Sequence, residues 1–202
     1  MGMRKVLSIM LSICLVLGLI APMASAEEQK AKLAEKASSA IVIERDTGEV
    51  IFDKNSNEKL PPASMTKIMT MLLIMDAIDK EALAYEDVVR TSEYAASMGG
   101  SQIFLEPGEE MTVRDMLKAI AVASANDASV AMAEHIAGTE EEFVSMMNQR
   151  AADLGLKNTN FMNTNGLPAE NHYTTAYDLA MISKELLKYE DITQFTEFTR
   201  II

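Results

Sequence analysis

Short apolar runs occupy positions 40–43 and 50–52, on either side of Asp46-Thr47-Gly48. A β-branched run, a turn with glycine and a second apolar run predict a β-hairpin. Positions 53–59 read as a polar loop. From 65 to 78 the chain is apolar on nearly every face, which predicts a helix buried in the middle of the domain. Thr112-Val113-Arg114-Asp115 has the form of a capping box, and Met111, Met116, Leu117, Ile120 and Ala121 follow at helical spacing up to Ser124. A further helix is expected over 127–136, terminated by Gly138. Thr139-Glu140-Glu141-Glu142 caps another that runs to Leu154 and ends at Gly155. Positions 163–168 are turn residues, and 175–189 form a last helix with Asp178 in its first turn. The pattern is α/β of the α+β kind: one hairpin followed by a mostly helical body, with no convincing further strand. A lone hairpin is marginal in water and needs a helix or more strands over its apolar face.

The first residues follow a different logic. Arg4 and Lys5 precede an apolar run over 6–20, then Pro22 and Ala24-Ser25-Ala26. This is the pattern of a secretory signal peptide over 1–26, cleaved after Ala26, so the mature chain is expected to be exported to the cell envelope and to begin at Glu27. The run is shorter than the ~20 apolar residues a membrane span needs. Cys14, the only cysteine, falls inside the removed segment; Ile13 before it argues against a lipoprotein. With 18 basic and 30 acidic residues the chain carries a net charge of −12, which argues against a nucleic-acid partner. No metal or cofactor is expected. His135 and His172 lack ligand spacing, Met69, Met71 and Met75 read as core filler, and Gly99-Gly100-Ser101 reads as a flexible turn rather than a phosphate loop.

Ser64-Met65-Thr66-Lys67 changes the picture. A serine hydroxyl needs a base within hydrogen-bond reach to act as a nucleophile at neutral pH. Three residues on, along one helix face, Lys67 can be that base if burial lowers its pKa. The same spacing recurs at Ser56-Asn57-Glu58-Lys59, but in a polar loop without apolar flanks, where it is expected to be solvated. Ser124-Ala125-Asn126 falls between two helices; the Ser124 hydroxyl there is suited to relay a proton and the Asn126 amide to hold a substrate peptide group. Against these readings stand helix capping by Ser64, with Lys67 reaching out to solvent, and capping by Ser124 of the helix that follows.

Together these residues resemble a known family. Glu44-Arg45-Asp46-Thr47-Gly48, Pro62-Ala63-Ser64-Met65-Thr66-Lys67, Gly99-Gly100-Ser101, Glu106-Pro107-Gly108-Glu109, Ser124-Ala125-Asn126-Asp127-Ala128 and Asn165-Gly166-Leu167 are similar to the serine-type D-alanyl-D-alanine carboxypeptidases. These are low-molecular-weight penicillin-binding proteins. The resemblance implies a penicillin-binding, β-lactamase-like transpeptidase fold, with Ser64 as acylated nucleophile, Lys67 as general base, Ser124 as proton relay and Asn126 as substrate-binding amide. The substrate implied is a peptidoglycan stem peptide ending in D-Ala-D-Ala, and β-lactam antibiotics are the implied covalent inhibitors.

The family's third motif, Lys-Thr-Gly, does not occur in these 202 residues. Residues 27–202 are therefore expected to form an incomplete catalytic domain without the C-terminal strands or the C-terminal membrane anchor, poorly folded and inactive alone. The alternatives are a non-catalytic remnant and a β-lactamase, the latter opposed by the absence of any carboxylate over 157–167.

Overall fold

The computed structural model describes residues 33–196, so the signal-peptide reading of 1–26 lies outside the described residues. The chain divides into two compact units, 1–36 and 37–202, and every element named below belongs to the second. Strands β1 (Ala40–Ile43) and β2 (Val50–Lys54) pair antiparallel, with a bulge between Val42 and Ile43. The turn between them is tied by Glu44. Its carboxylate accepts from the Thr47 amide (2.6 Å), the Thr47 hydroxyl (2.7 Å) and the Asp46 amide (3.1 Å).

A 3₁₀ turn, Ala63–Thr66, leads into helix α1, Lys67–Asp79. Pro61 and Pro62 explain the start, since neither offers an amide and each restricts the residue before it. Met69, Leu72 and Ile74 are fully buried on different faces of α1. The helix touches α3 (Val113–Ala123), α4 (Asn126–Ala137), α5 (Glu140–Asp153) and α6 (Ala176–Leu186), which form a shell around it. Met116, Leu117, Met132, Phe143, Met147, Phe161 and Ile182 complete this core. The hairpin is not left bare, because β1 lies against α6.

Cap chemistry sets the helix limits, as expected for α3 and α5, while the cap of α6 falls on Thr175, which the sequence pattern places inside that helix. Thr112, Thr139 and Thr175 each accept from the amide three residues on, and Gly138 ends α4 at φ +88°. The expectation of no further strand is corrected. Strands β3 (Val88–Arg90) and β4 (Glu110–Thr112) form a second two-stranded sheet, each only three residues long and so too short to show a period of two. Short helix α2 (Glu93–Ala96) lies between them in sequence. The last expected helix also stops early: α6 ends at Leu186, and α7 (Ile192–Thr196) follows after a turn.

The 53–59 segment is not uniformly solvated either. Ser56 is buried, donates to Asp53 (2.6 Å) and accepts at its carbonyl from the Tyr177 amide (2.9 Å). It is a structural serine that fastens the hairpin to α6. An apolar groove of about 370 Å³, lined by Ile41, Pro62, Met65, Ile68 and Leu179 among others, lies between β1, the 3₁₀ turn and α6.

Candidate active site

Ser64 lies on the 3₁₀ turn, not in the α-helix, and residues three apart eclipse one another in that geometry. The turn thus carries Ser64 on the same side as Lys67, the first residue of α1. Neither helix-capping reading survives. Neither Pro62, which caps the 3₁₀ turn, nor Thr66, which caps α1, makes a side-chain cap bond. Helix α4 is capped by Ala125, again without a side-chain bond. Ser64 is exposed, and Ala63 before it is held at φ +48°, a left-handed conformation costly for a residue with a Cβ.

Lys67 does not reach solvent. It is 3% exposed, and its Nζ donates to Asn126 Oδ1 and to the Asn165 carbonyl, both at 2.7 Å. Burial lowers its pKa from 10.5 to about 8. A neutral amine has two N–H groups and one lone pair. The two acceptors take the N–H groups, which leaves the lone pair for an incoming proton.

Asn126 is placed by the Gly99-Gly100-Ser101 segment, which is therefore not a merely flexible turn. Asn126 Nδ2 donates to the Gly99 carbonyl and its backbone amide to the Ser101 carbonyl, each at 2.7 Å. Gly100 sits at φ +82°, where a Cβ would come within 2.8 Å of Asn126 Nδ2. Buried Asp127 holds the continuation of the segment, accepting from the amides of Ile103 (3.1 Å) and Leu105 (3.1 Å). Ser124 occupies the interhelical turn two residues before Asn126, half-buried and left-handed at φ +54°. Its hydroxyl has no hydrogen-bond partner among the described residues, so it is free to serve an incoming group.

The 163–167 loop supplies the second acceptor for Lys67. Asn163 Oδ1 accepts from the Gly166 amide (2.7 Å), Asn163 Nδ2 donates to the Leu167 carbonyl (2.8 Å), and Asn165 Oδ1 accepts from the Leu167 amide (3.0 Å). These bonds consume the local polar groups and leave the Asn165 carbonyl turned to Lys67. Gly166 lies so close to the Ser64 turn that a Cβ on it would fall 1.8 Å from the Ala63 carbonyl oxygen. Beneath the turn, Thr66 Oγ1 meets His172 Nε2 at 2.9 Å, while the Met162 amide donates to His172 Nδ1 at 3.4 Å. With Nδ1 an acceptor, Nε2 carries the proton. His172 is thus a buried structural histidine whose pKa burial lowers.

Ser64, Lys67, Ser124 and Asn126 thus stand on adjoining elements, with Lys67 bonded to Asn126 directly. Nothing in the sequence pattern places Asn165, Gly166, Gly99 or Gly100 at the site. The glycines and paired asparagines were the available signal, but only the fold reveals which carbonyl they expose. Among the described residues no group of three His, Cys, Asp or Glu side chains is arranged to hold a metal ion.

A buried lysine with a lowered pKa, one short turn from an exposed serine on a mixed α/β fold, is the arrangement that serine acyl transfer requires. The model for the S11 peptidases, D-alanyl-D-alanine carboxypeptidases, matches residues 24–200, and the chain belongs to that family. The D-alanyl-D-alanine carboxypeptidase DacF of Bacillus subtilis (strain 168) is 63% identical over 197 residues, which are 96% of this chain and 50% of that relative. The crystal structure of the D-alanyl-D-alanine carboxypeptidase DacD from Francisella tularensis superposes with a TM-score of 0.77 at 35% identity, covering 79% of this chain and 39% of that one. Penicillin-binding protein D2 from Listeria monocytogenes, in its ampicillin-bound form, gives a TM-score of 0.70 at 25% identity, covering 79% and 65%. The chain spans about half the length of the Bacillus relative.

Proposed function

We propose that this chain carries the nucleophile half of a serine D-alanyl-D-alanine carboxypeptidase acting on peptidoglycan stem peptides outside the cytoplasm. The observation that carries the reading is Lys67: a buried amine with its pKa lowered to about 8, both N–H groups committed, one turn from Ser64. In the first step Ser64 Oγ attacks the carbonyl between the two terminal D-alanines while its proton passes to the Lys67 lone pair. The carbonyl electrons move onto oxygen, where amides opening the 3₁₀ turn, which have no partner within it, are suited to receive the charge. The intermediate then collapses. The C–N bond breaks, the departing D-alanine amine takes a proton from Lys67 through Ser124, and an ester on Ser64 remains. Water attacks that ester with Lys67 again accepting the proton, and as the C–O bond to Ser64 breaks Lys67 returns it to Ser64 Oγ, which releases the shortened peptide and restores both residues.

Asn126 orients Lys67 through Oδ1, and it retains a second N–H and a second lone pair for the substrate's peptide groups. β-Lactams fit the same site as acylating inhibitors, a reading supported by the ampicillin-bound form of the Listeria relative. Export is supported by the signal-peptide pattern over 1–26; no helix among the described residues is long and apolar enough to cross a membrane. The test is release of D-alanine from a peptide ending in D-Ala-D-Ala by the complete product of the gene. Release lost in Ser64→Ala and kept in Ser56→Ala supports the assignment, whereas release that persists in Ser64→Ala refutes it.

A further inference from the structure

Three successive glutamates open helix α5, and only the first is buried: Glu140 is 7% exposed, while Glu141 and Glu142 face solvent. A glutamate in a first turn is ordinarily explained by the helix dipole, and a solvated side chain suffices for that. Glu140 does not cap the helix, because Thr139 accepts the Glu142 amide in that role. Nor is it paired with a lysine or arginine among the described residues. A carboxylate buried without a cation costs stability unless hydrogen bonds replace its lost water.

Those bonds all lead in one direction. Glu140 Oε1 accepts from the Thr164 amide (2.9 Å) and the Thr164 hydroxyl (2.8 Å). Its Oε2 accepts from the Tyr94 hydroxyl (2.7 Å), and this bond, followed by burial and the carboxylate's charge, pushes the Tyr94 pKa up to about 12, so the phenol remains a donor. On its other side Thr164 is held by α1, since Thr70 Oγ1 donates to the Thr164 carbonyl at 2.6 Å. Thr70 lies three residues beyond Lys67 on that helix, on the same side. Thr164 is fully buried and gripped at its amide, hydroxyl and carbonyl. The next carbonyl along the chain is that of Asn165, the acceptor for Lys67.

We propose that Glu140 is a positioning residue for Lys67: anchored by Tyr94, it clamps Thr164 so that the Asn165 carbonyl stays over the amine and the 163–167 loop keeps water from it. Glu140 touches neither Lys67 nor the space in front of Ser64 through any bond seen here; it acts through the backbone of the loop. The inference goes beyond the acyl-transfer reading and rests on it only for the consequence, which is that the strength of the base is set from the start of α5. Because burial is what lowers the Lys67 pKa, loosening the loop that covers it must raise that pKa toward 10.5.

The test is an NMR titration of the complete gene product labelled with ¹³C-lysine, the Lys67 signal identified by its loss in Lys67→Arg. Glu140→Ala removes all three acceptor bonds. Glu140→Asp keeps the charge but is one methylene too short to reach Thr164 and Tyr94 together. Both are expected to raise the Lys67 pKa by about one unit or more. Glu140→Gln keeps an acceptor for Thr164 and offers its amide to the Tyr94 oxygen, so it is expected to titrate as wild type. Asp76→Ala, which breaks the buried Arg150 and Tyr189 contacts at the far end of α1, is expected to lower thermal stability without moving Lys67.

If Glu140→Ala does not fold, Glu140→Asp carries the same comparison. Folded Glu140 variants in which Lys67 titrates as wild type overturn the proposal. A Gln variant shifted as far as the other two overturns it as well, because Gln keeps the hydrogen-bonding groups in place and a positioning role would leave it unmoved. Failure of the reaction assignment looks different: D-alanine release would be absent or independent of Ser64 while the Lys67 titration still responded to Glu140.

Discussion

Lys67 and Asn165 stand 98 residues apart in sequence, and the amine of one donates to the backbone carbonyl of the other at 2.7 Å. With Asn126 Oδ1 at the same distance, that bond takes the second N–H of a neutral amine and leaves its lone pair as the basic position. The site thus suits a lysine that can give up its proton, and burial at the start of α1 supplies the desolvation that lowers its pKa to about 8.

The pH dependence of acylation follows in sign from this. With the pKa at about 8, roughly a tenth of Lys67 is neutral at pH 7 and roughly nine-tenths at pH 9. The rate constant for acylation by a penicillin is expected to rise about tenfold per pH unit below 8 and level off above it. Lys67→Ala is expected to lose about a hundred- to ten-thousand-fold. Stopped-flow measurement across pH 6 to 10 checks both, and a flat profile would mean that another group accepts the proton.

Gly166→Ala is expected to damage the site through the 163–167 loop, which packs against the Ser64 turn. Its φ of +90° is unfavourable for alanine, and the added Cβ would overlap the Ala63 carbonyl at 1.8 Å. Either the 163–167 loop or the Ser64 turn has to move, with a stability loss of more than ~2 kcal/mol and loss of acylation. Gly155→Ala is the control. It also has positive φ, +74°, but open space around the new Cβ, so only the backbone strain of ~1 to 2 kcal/mol is expected, with acylation retained. Chemical denaturation together with penicillin labelling separates the two.

His172 provides a pH-dependent contribution to stability. Burial lowers its pKa below 6.5, so the unfolded chain takes up a proton before the folded one does. Stability is therefore lost as pH falls through 6.5, and a protonated Nδ1 would also oppose the Met162 amide that donates to it. His172→Gln is expected to flatten the difference in melting temperature between pH 7 and pH 5. An equally steep loss in the variant would assign the effect to the carboxylates.

Much of this was legible in the chain because the relevant signals are local. The hairpin, the all-round apolar character of α1, the threonine caps of α3 and α5, and the lysine three residues after Ser64 all depend on neighbours in sequence. What escaped depends on distance in space. Strands β3 and β4 are three residues each and exist because they pair with one another. Ser56 resembles a solvated loop residue until Asp53 and Tyr177 close around it. Two acceptors that hold Lys67 and Asn126 are backbone: the Asn165 and Gly99 carbonyls carry no side-chain signature, and only glycines and asparagines hint that a carbonyl is being presented. The 3₁₀ form of the Ser64 turn was likewise hidden, because helical spacing and 3₁₀ spacing both place residue i+3 near residue i.

Covalent acylation of Ser64 is the step on which the proposed reaction turns. The most direct measurement is intact-mass analysis of the complete gene product after exposure to benzylpenicillin, with peptide mapping of the adduct. One equivalent of penicilloyl adduct on the peptide containing Ser64, absent from Ser64→Ala and Lys67→Ala, is the predicted result. An adduct that maps elsewhere, or that survives in Ser64→Ala, would contradict it.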